Sequence, residues 1–128
     1  MNPTYAPMSS AGTGAPSTLD VSLLDCGRSA LLALGGELDM ATCGLLQAVL
    51  DDVLRSRRTP RVVRLVLDMS AVQFVDAAGI SPVLHARAVL AKRRGVVEVR
   101  DPSASVRRLL GLLDLADLIA PAPPSTAA

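Results

Sequence analysis

The sequence predicts one α/β domain, a mixed sheet of four or five strands with helices packed against it, and three observations point there. Short apolar runs alternate along the chain with segments whose apolar residues recur at helical spacing. Residues 61–68 (RVVRLVLD), after Pro60, are too continuously apolar for a strand with one wet face. They read as a central strand covered on both sides, with parallel neighbours. The stretch carrying both patterns, residues 19–120, has the length of one autonomous domain.

The elements follow in order. Residues 1–18 and 121–128 mix Gly, Pro, Ser, Thr and Ala without periodicity and are expected to be disordered tails. Residues 21–24 and 30–34 flank Asp25-Cys26-Gly27-Arg28, a turn sequence, and predict a hairpin whose second strand Gly35-Gly36 breaks. A first helix runs from Met40 to about Arg55 on the stripe Leu45, Leu46, Val49, Leu50, Val53 and Leu54, capped by Asp39 or Thr42. After the central strand and residues 69–75, Ile80, Val83, Leu84, Ala88 and Ala91 mark a second helix that Gly95 ends, with Lys92-Arg93-Arg94 in its last turn. Residues 96–100 form a further strand. Asp101-Pro102-Ser103 then opens a third helix with Val106, Leu109, Leu110 and Leu113 on one face, and residues 118–120 add a short edge strand.

Composition narrows the function. Of 64 apolar residues, Leu, Ala and Val supply 54, and the aromatics are Tyr5 and Phe74 alone, so no stacking platform for single-stranded nucleic acid is available. His85 is the single histidine, which excludes multi-His zinc sites. Net charge is +1, against a nucleic-acid binder's basic footprint, and no membrane-inserting or leader segment is found. Arg55, Arg57, Arg58, Arg61 and Arg64 crowd ten positions and read as a solvated turn before a phosphate patch. Cys26 and Cys43 lack CxxC spacing and read as free thiols. A soluble, cytoplasmic binding module without metal or cofactor, and not an enzyme, is the expectation.

Gly36-Glu37-Leu38-Asp39, Leu67-Asp68-Met69-Ser70, Val72-Gln73-Phe74-Val75-Asp76, the pair Ala77-Ala78 with Gly79, and Asp101-Pro102-Ser103 followed by Val106-Arg107-Arg108-Leu109-Leu110 stand in one order. Over residues 19–119 this set resembles the STAS domain, in its single-domain anti-sigma-factor-antagonist form. The resemblance implies the STAS fold, with three or more helices mainly on one side of a mixed four- to five-stranded sheet. It implies a monomer or weak dimer that binds an anti-sigma factor, usually also a serine protein kinase, and so frees a sigma factor. The partner surface would be the loop and helix start from Asp76 to Pro82, with Asp76, Ala77, Ala78, Gly79, Ile80 and Ser81, and beside it the segment Gly36 to Thr42, with Glu37 and Asp39. In such antagonists one of the two small residues after the aspartate is a hydroxyl that the kinase phosphorylates, adding about −1.5 to −2 charges inside the interface. Here both are alanine. The result is a permanently active antagonist, a module with another partner, or a switch moved to a nearby hydroxyl such as Ser81.

The residues carry plainer roles beside these. Ser81-Pro82 matches an N-cap with Pro at the first helical position, which would shift the helix start. Asp39 and Asp76 are better helix caps than catalytic acids. Ser81 and His85, i and i+4 on one helix, lack any further nucleophile motif. Ile80 and Val83 are either core or exposed contacts, and Phe74 is core by default. Two other functions fit the same fold: a STAS subunit of a membrane transport assembly, and a nucleotide-binding STAS sensor, which the sequence supports with no GxxxxGK[ST] motif.

Overall fold

In the computed structural model, residues 17–55 and 61–121 are described in full and residues 4–9 by their backbone. The strands are β1 (Thr4–Ser9), β2 (Thr18–Cys26), β3 (Ser29–Leu38), β4 (Arg64–Val75) and β5 (Val96–Arg100). The helices are α1 (Cys43–Arg55), α2 (Ala77–Ala91) and α3 (Ala104–Leu112), followed by a 3-10 turn at Ala116–Leu118. The sheet order is β1-β2-β3-β4-β5, antiparallel across β1-β2-β3 and parallel across β3-β4-β5.

Chirality places the helices. Each β-α-β crossover is right-handed with few exceptions. Because β3, β4 and β5 advance in one direction, α1 and α2 fall on the same face, and α3 packs beside β4 on that core. One row set of the sheet is therefore dry: Val21, Leu23, Leu32, Leu34, Leu65, Leu67, Met69, Val97 and Val99 are all buried with α1, α2 and α3 residues in one cluster. The other face carries no helix among the described residues. Its rows read Ser29-Arg64-Val96, Leu31-Val66-Glu98 and Ala33-Asp68-Arg100. There the Arg64 guanidinium grips Glu98 through two bonds of 2.9 Å, and in this half-exposed setting the pair contributes about 0.2–1 kcal/mol.

Several local expectations are corrected. Part of the expected N-terminal tail, Thr4–Ser9, forms β1 on the edge of β2, and β2 starts at Thr18. An edge strand needs only backbone bonds, and the ladder shifts register between Tyr5 and Met8, around Pro7, which has no N–H to give. The rest of that tail, residues 122–128, Arg57 and Arg58 lie outside the described residues.

Gly35-Gly36 does not end β3. The ladder bulges there instead, Gly36 at φ 98° with a side chain excluded by the Thr18 carbonyl, and pairing resumes to Leu38. The central strand runs on to Val75. At the C-terminus of α2 the left-handed residue is Arg94, φ 58°, while Gly95 returns its N–H to Leu90 O. On α3 Leu113 is exposed, and the expected edge strand at 118–120 reduces to the 3-10 turn and one parallel bridge, Val99 with Ile119. Cys26 and Cys43 are free.

Candidate functional site

The site is the pair of strand-to-helix junctions at the C-terminal ends of β3 and β4. Leu38 and Val75 are register partners, so the residues after them emerge side by side. Asp76 N–H donates to Leu38 O at 3.1 Å, which ties the second junction to the end of β3.

At the first junction Asp39 collects donors. Its Oδ1 accepts Ala41 N–H at 2.9 Å and Thr42 N–H at 3.2 Å, and its Oδ2 accepts the Ser17 hydroxyl at 2.5 Å. Thr42 Oγ1 accepts Asp39 N–H and donates to Glu37 O, at 3.1 and 2.7 Å. This closes one turn before α1, which begins at Cys43 and not at Met40. The Ser17 hydroxyl, aided by the two backbone N–H groups, holds the Asp39 carboxyl below its ordinary pKa against the opposing effect of burial.

At the second junction Asp76 is the N-cap of α2 and Oδ1 accepts Gly79 N–H at 2.8 Å. The first-turn backbone at Gly79 passes so close to β3 that a Cβ would collide with Leu38 O and Asp39 N. Only glycine fits there, which is the physical reason for a glycine after the two small residues.

The helix start is thus Ala77, not Ser81, and Pro82 sits inside the helix. Pro82 has no N–H for Ala78 O, the carbonyl four residues back, and Ser81 Oγ donates to that carbonyl at 3.0 Å. Ser81 is therefore neither cap nor idle hydroxyl: it closes the gap that Pro82 opens. A mid-helix Pro is tolerated here because a side chain supplies the missing donor.

The expected partner residues divide by exposure. Ala77 and Ser81 are exposed, Ala78, Asp76, Glu37 and Asp39 are half-buried, and Gly79 is buried. Ile80 and Val83, left open by the sequence, are core: Ile80 is 1% exposed. His85 and Ser81 both face solvent. Phe74 overturns its expectation, being 50% exposed opposite Glu37 in the β3-β4 register. The bulge at Gly36 causes this, since it puts Phe74 one step out of the inward alternation that Val72 and Val75 keep. Met40, 79% exposed on the first junction, lies in the expected Gly36–Thr42 segment without having been singled out, and Ser17 was absent from the expected site. Met40 was legible as an apolar residue inside a capping turn; Ser17 was not, because its contact spans 22 positions.

A mixed sheet with its helices on one face and two strand-to-helix junctions side by side defines a small α/β fold. A family model described as "Mlab, STAS domain" matches residues 23–120, and the chain belongs to the STAS domain family. It is similar to the anti-sigma-F factor antagonist RsfB of Mycobacterium tuberculosis, 33% identical over 66 residues; the match covers 52% of the chain and spans about half, 51%, of that relative. It is 27% identical over 85 residues to the anti-sigma F factor antagonist of Paenibacillus polymyxa, covering 66% of the chain and 70% of that protein. Among solved structures it resembles unphosphorylated SpoIIAA, described as an anti-sigma factor antagonist (TM-score 0.68, 21% identity, 81% of this chain and 89% of that one). An anti-sigma factor antagonist from Mycobacterium paratuberculosis is also similar (TM-score 0.67, 24% identity, 91% and 92% covered). These likenesses show the one-sided STAS fold. No helix among the described residues is long and apolar enough to cross a membrane.

Proposed function

We propose that this chain is an anti-sigma-factor antagonist that binds an anti-sigma factor through the junctions at Glu37–Thr42 and Asp76–Ser81, releasing a sigma factor, and that it does so without the phosphorylation its relatives' positions imply. The observation that carries the reading is the use of the two carboxylates: Asp39 and Asp76 bond the backbone of two adjacent junctions and so hold the turn before α1 and the start of α2 side by side. The match to antagonists in both sequence and fold supports the same partner class.

Ala77 and Ala78 occupy the first two helical positions after Asp76, so the exposed start of α2 presents methyl groups where a phosphoryl acceptor would stand. The protein then binds whenever its partner is present, and regulation lies in abundance or in the partner. Mixing the purified chain with the anti-sigma factors and anti-sigma kinases of its own genome should give a complex by gel filtration. Failure of every pairing, with Ala78→Ser equally inert, overturns the proposal. Kinase and ATP should add no phosphate mass to the wild type, and a phosphorylated Ser81 would refute the lost switch while leaving the partner class intact.

A further inference from the structure

The surface around the two junctions differs chemically from the rest of the molecule. Residues 17–20, 35–42 and 71–82 meet at this end of the sheet: Leu19 pairs with Gly36, Asp20 with Gly35, Gly35 with Ala71, and Leu38 with Val75. These stretches hold Asp20, Glu37, Asp39 and Asp76 and no Lys or Arg, in a chain with 13 basic residues. Arg107 and Arg108, the basic residues of α3, belong to the helix that Ser105 links to Gln73 O. Two large apolar side chains stand exposed in the same area. Met40 crowns the capping turn, and Phe74 projects from the last turn of the ladder beside Glu37 on the face without helices.

A half-exposed aromatic in a chain with only two aromatics costs hydration without adding to the core. Aromatic and Met side chains are enriched at the centres of protein contacts, where a polar rim surrounds them. Charge selects the occupant. A symmetric contact with a second copy sets these stretches against themselves, with four carboxylates on each side and no Lys or Arg within them, which is unfavourable.

We propose that the docking face extends beyond the start of α2, across the sheet end and onto its helix-free side, with Met40 and Phe74 as apolar anchors, and that it fits a protein partner whose apolar pocket is rimmed by Arg and Lys. This rests on the partner-binding reading above and adds to it a footprint and a partner chemistry. Glu37 and Asp20 then steer association, while the two anchors set the lifetime of the complex.

The test uses calorimetry and binding kinetics with the anti-sigma factor that complexes the wild type. Phe74→Ala should weaken binding by about 30-fold and Met40→Ala by about tenfold. Glu37→Lys should lower the association rate and flatten its dependence on salt, with Leu112→Ala, at the exposed end of α3, unchanged. Unaltered thermal melting of each variant separates contact loss from unfolding. If the wild type binds and both anchor variants stay within about twofold, the footprint is overturned and the antagonist reading survives. If the wild type binds no anti-sigma factor, both fall. A dimer that dissociates in Phe74→Ala would overturn the footprint by assigning the face to a second copy.

Discussion

The two junctions look alike in sequence, each an aspartate following a strand, and are held by different means. At β3-α1 the carboxylate of Asp39 gathers a hydroxyl and two N–H groups, and a full turn intervenes before the helix. At β4-α2 Asp76 satisfies one N–H, the helix starts at the next residue, and its position is fixed by backbone pressed on backbone at Gly79. Side-chain bonds can be removed one at a time, with water replacing part of each. Close backbone approach is all or none. The α2 half of the proposed docking surface should therefore be the more brittle.

Four substitutions test that contrast, from the largest effect to the smallest. Gly79→Ala should cost about 3 kcal/mol or more, because Leu38 and Asp39 backbone must move, and chemical denaturation would read it directly. A loss below about 1 kcal/mol would mean that α2 starts freely. Asp39→Ala should cost about 1–2 kcal/mol, since it leaves the Ala41 N–H and the Ser17 hydroxyl without their acceptor and Thr42 N–H with the Asp39 carbonyl alone. Asp76→Ala, with one cap bond lost, should cost about 1 kcal/mol by the same measurement. Ser81→Ala should cost about 0.5 kcal/mol, because water can reach the Ala78 carbonyl in its place.

Asp39 adds a pH signature to the first junction. Its folded-state pKa lies below the ordinary 3.8, through the Ser17 hydroxyl first and then the turn N–H groups. A carboxylate depressed on folding stabilises fully above its unfolded pKa and loses that contribution as pH falls through the folded value. The stability gap between wild type and Asp39→Asn should thus hold at neutral pH and narrow below about pH 4. A gap constant down to pH 2 would remove the carboxylate from the account.

Much of this was legible in the sequence because it is local. Apolar spacing located all three helices, Ser103 caps α3 as its position before the stripe suggests, and the run at 61–68 supplies β4 from Arg64, parallel to both neighbours but with helices on one face rather than the expected two. What escaped depends on distant backbone. Glycine pairs usually stop strands, and here β3 continues through Gly35-Gly36 while β4 inserts Gln73 between the partners of Gly36 and Glu37; that shift turns Phe74 outward against its composition. Ser81-Pro82 reads locally as a cap, and only the contact between Gly79 and Leu38, about 40 residues apart in sequence, starts the helix at Ala77. The surface at residue 74 and the hydroxyl at 81 are set by non-local geometry that periodicity does not encode.

The order of the parallel strands has one more consequence. In doubly wound sheets the strand order reverses once, helices part to opposite faces there, and the resulting crevice receives nucleotides and other small ligands. Here β3, β4 and β5 advance without reversal and both crossover helices share a face. No switch point of that kind exists among them, so the C-terminal ends of these strands lack the crevice that strand reversal opens in doubly wound sheets.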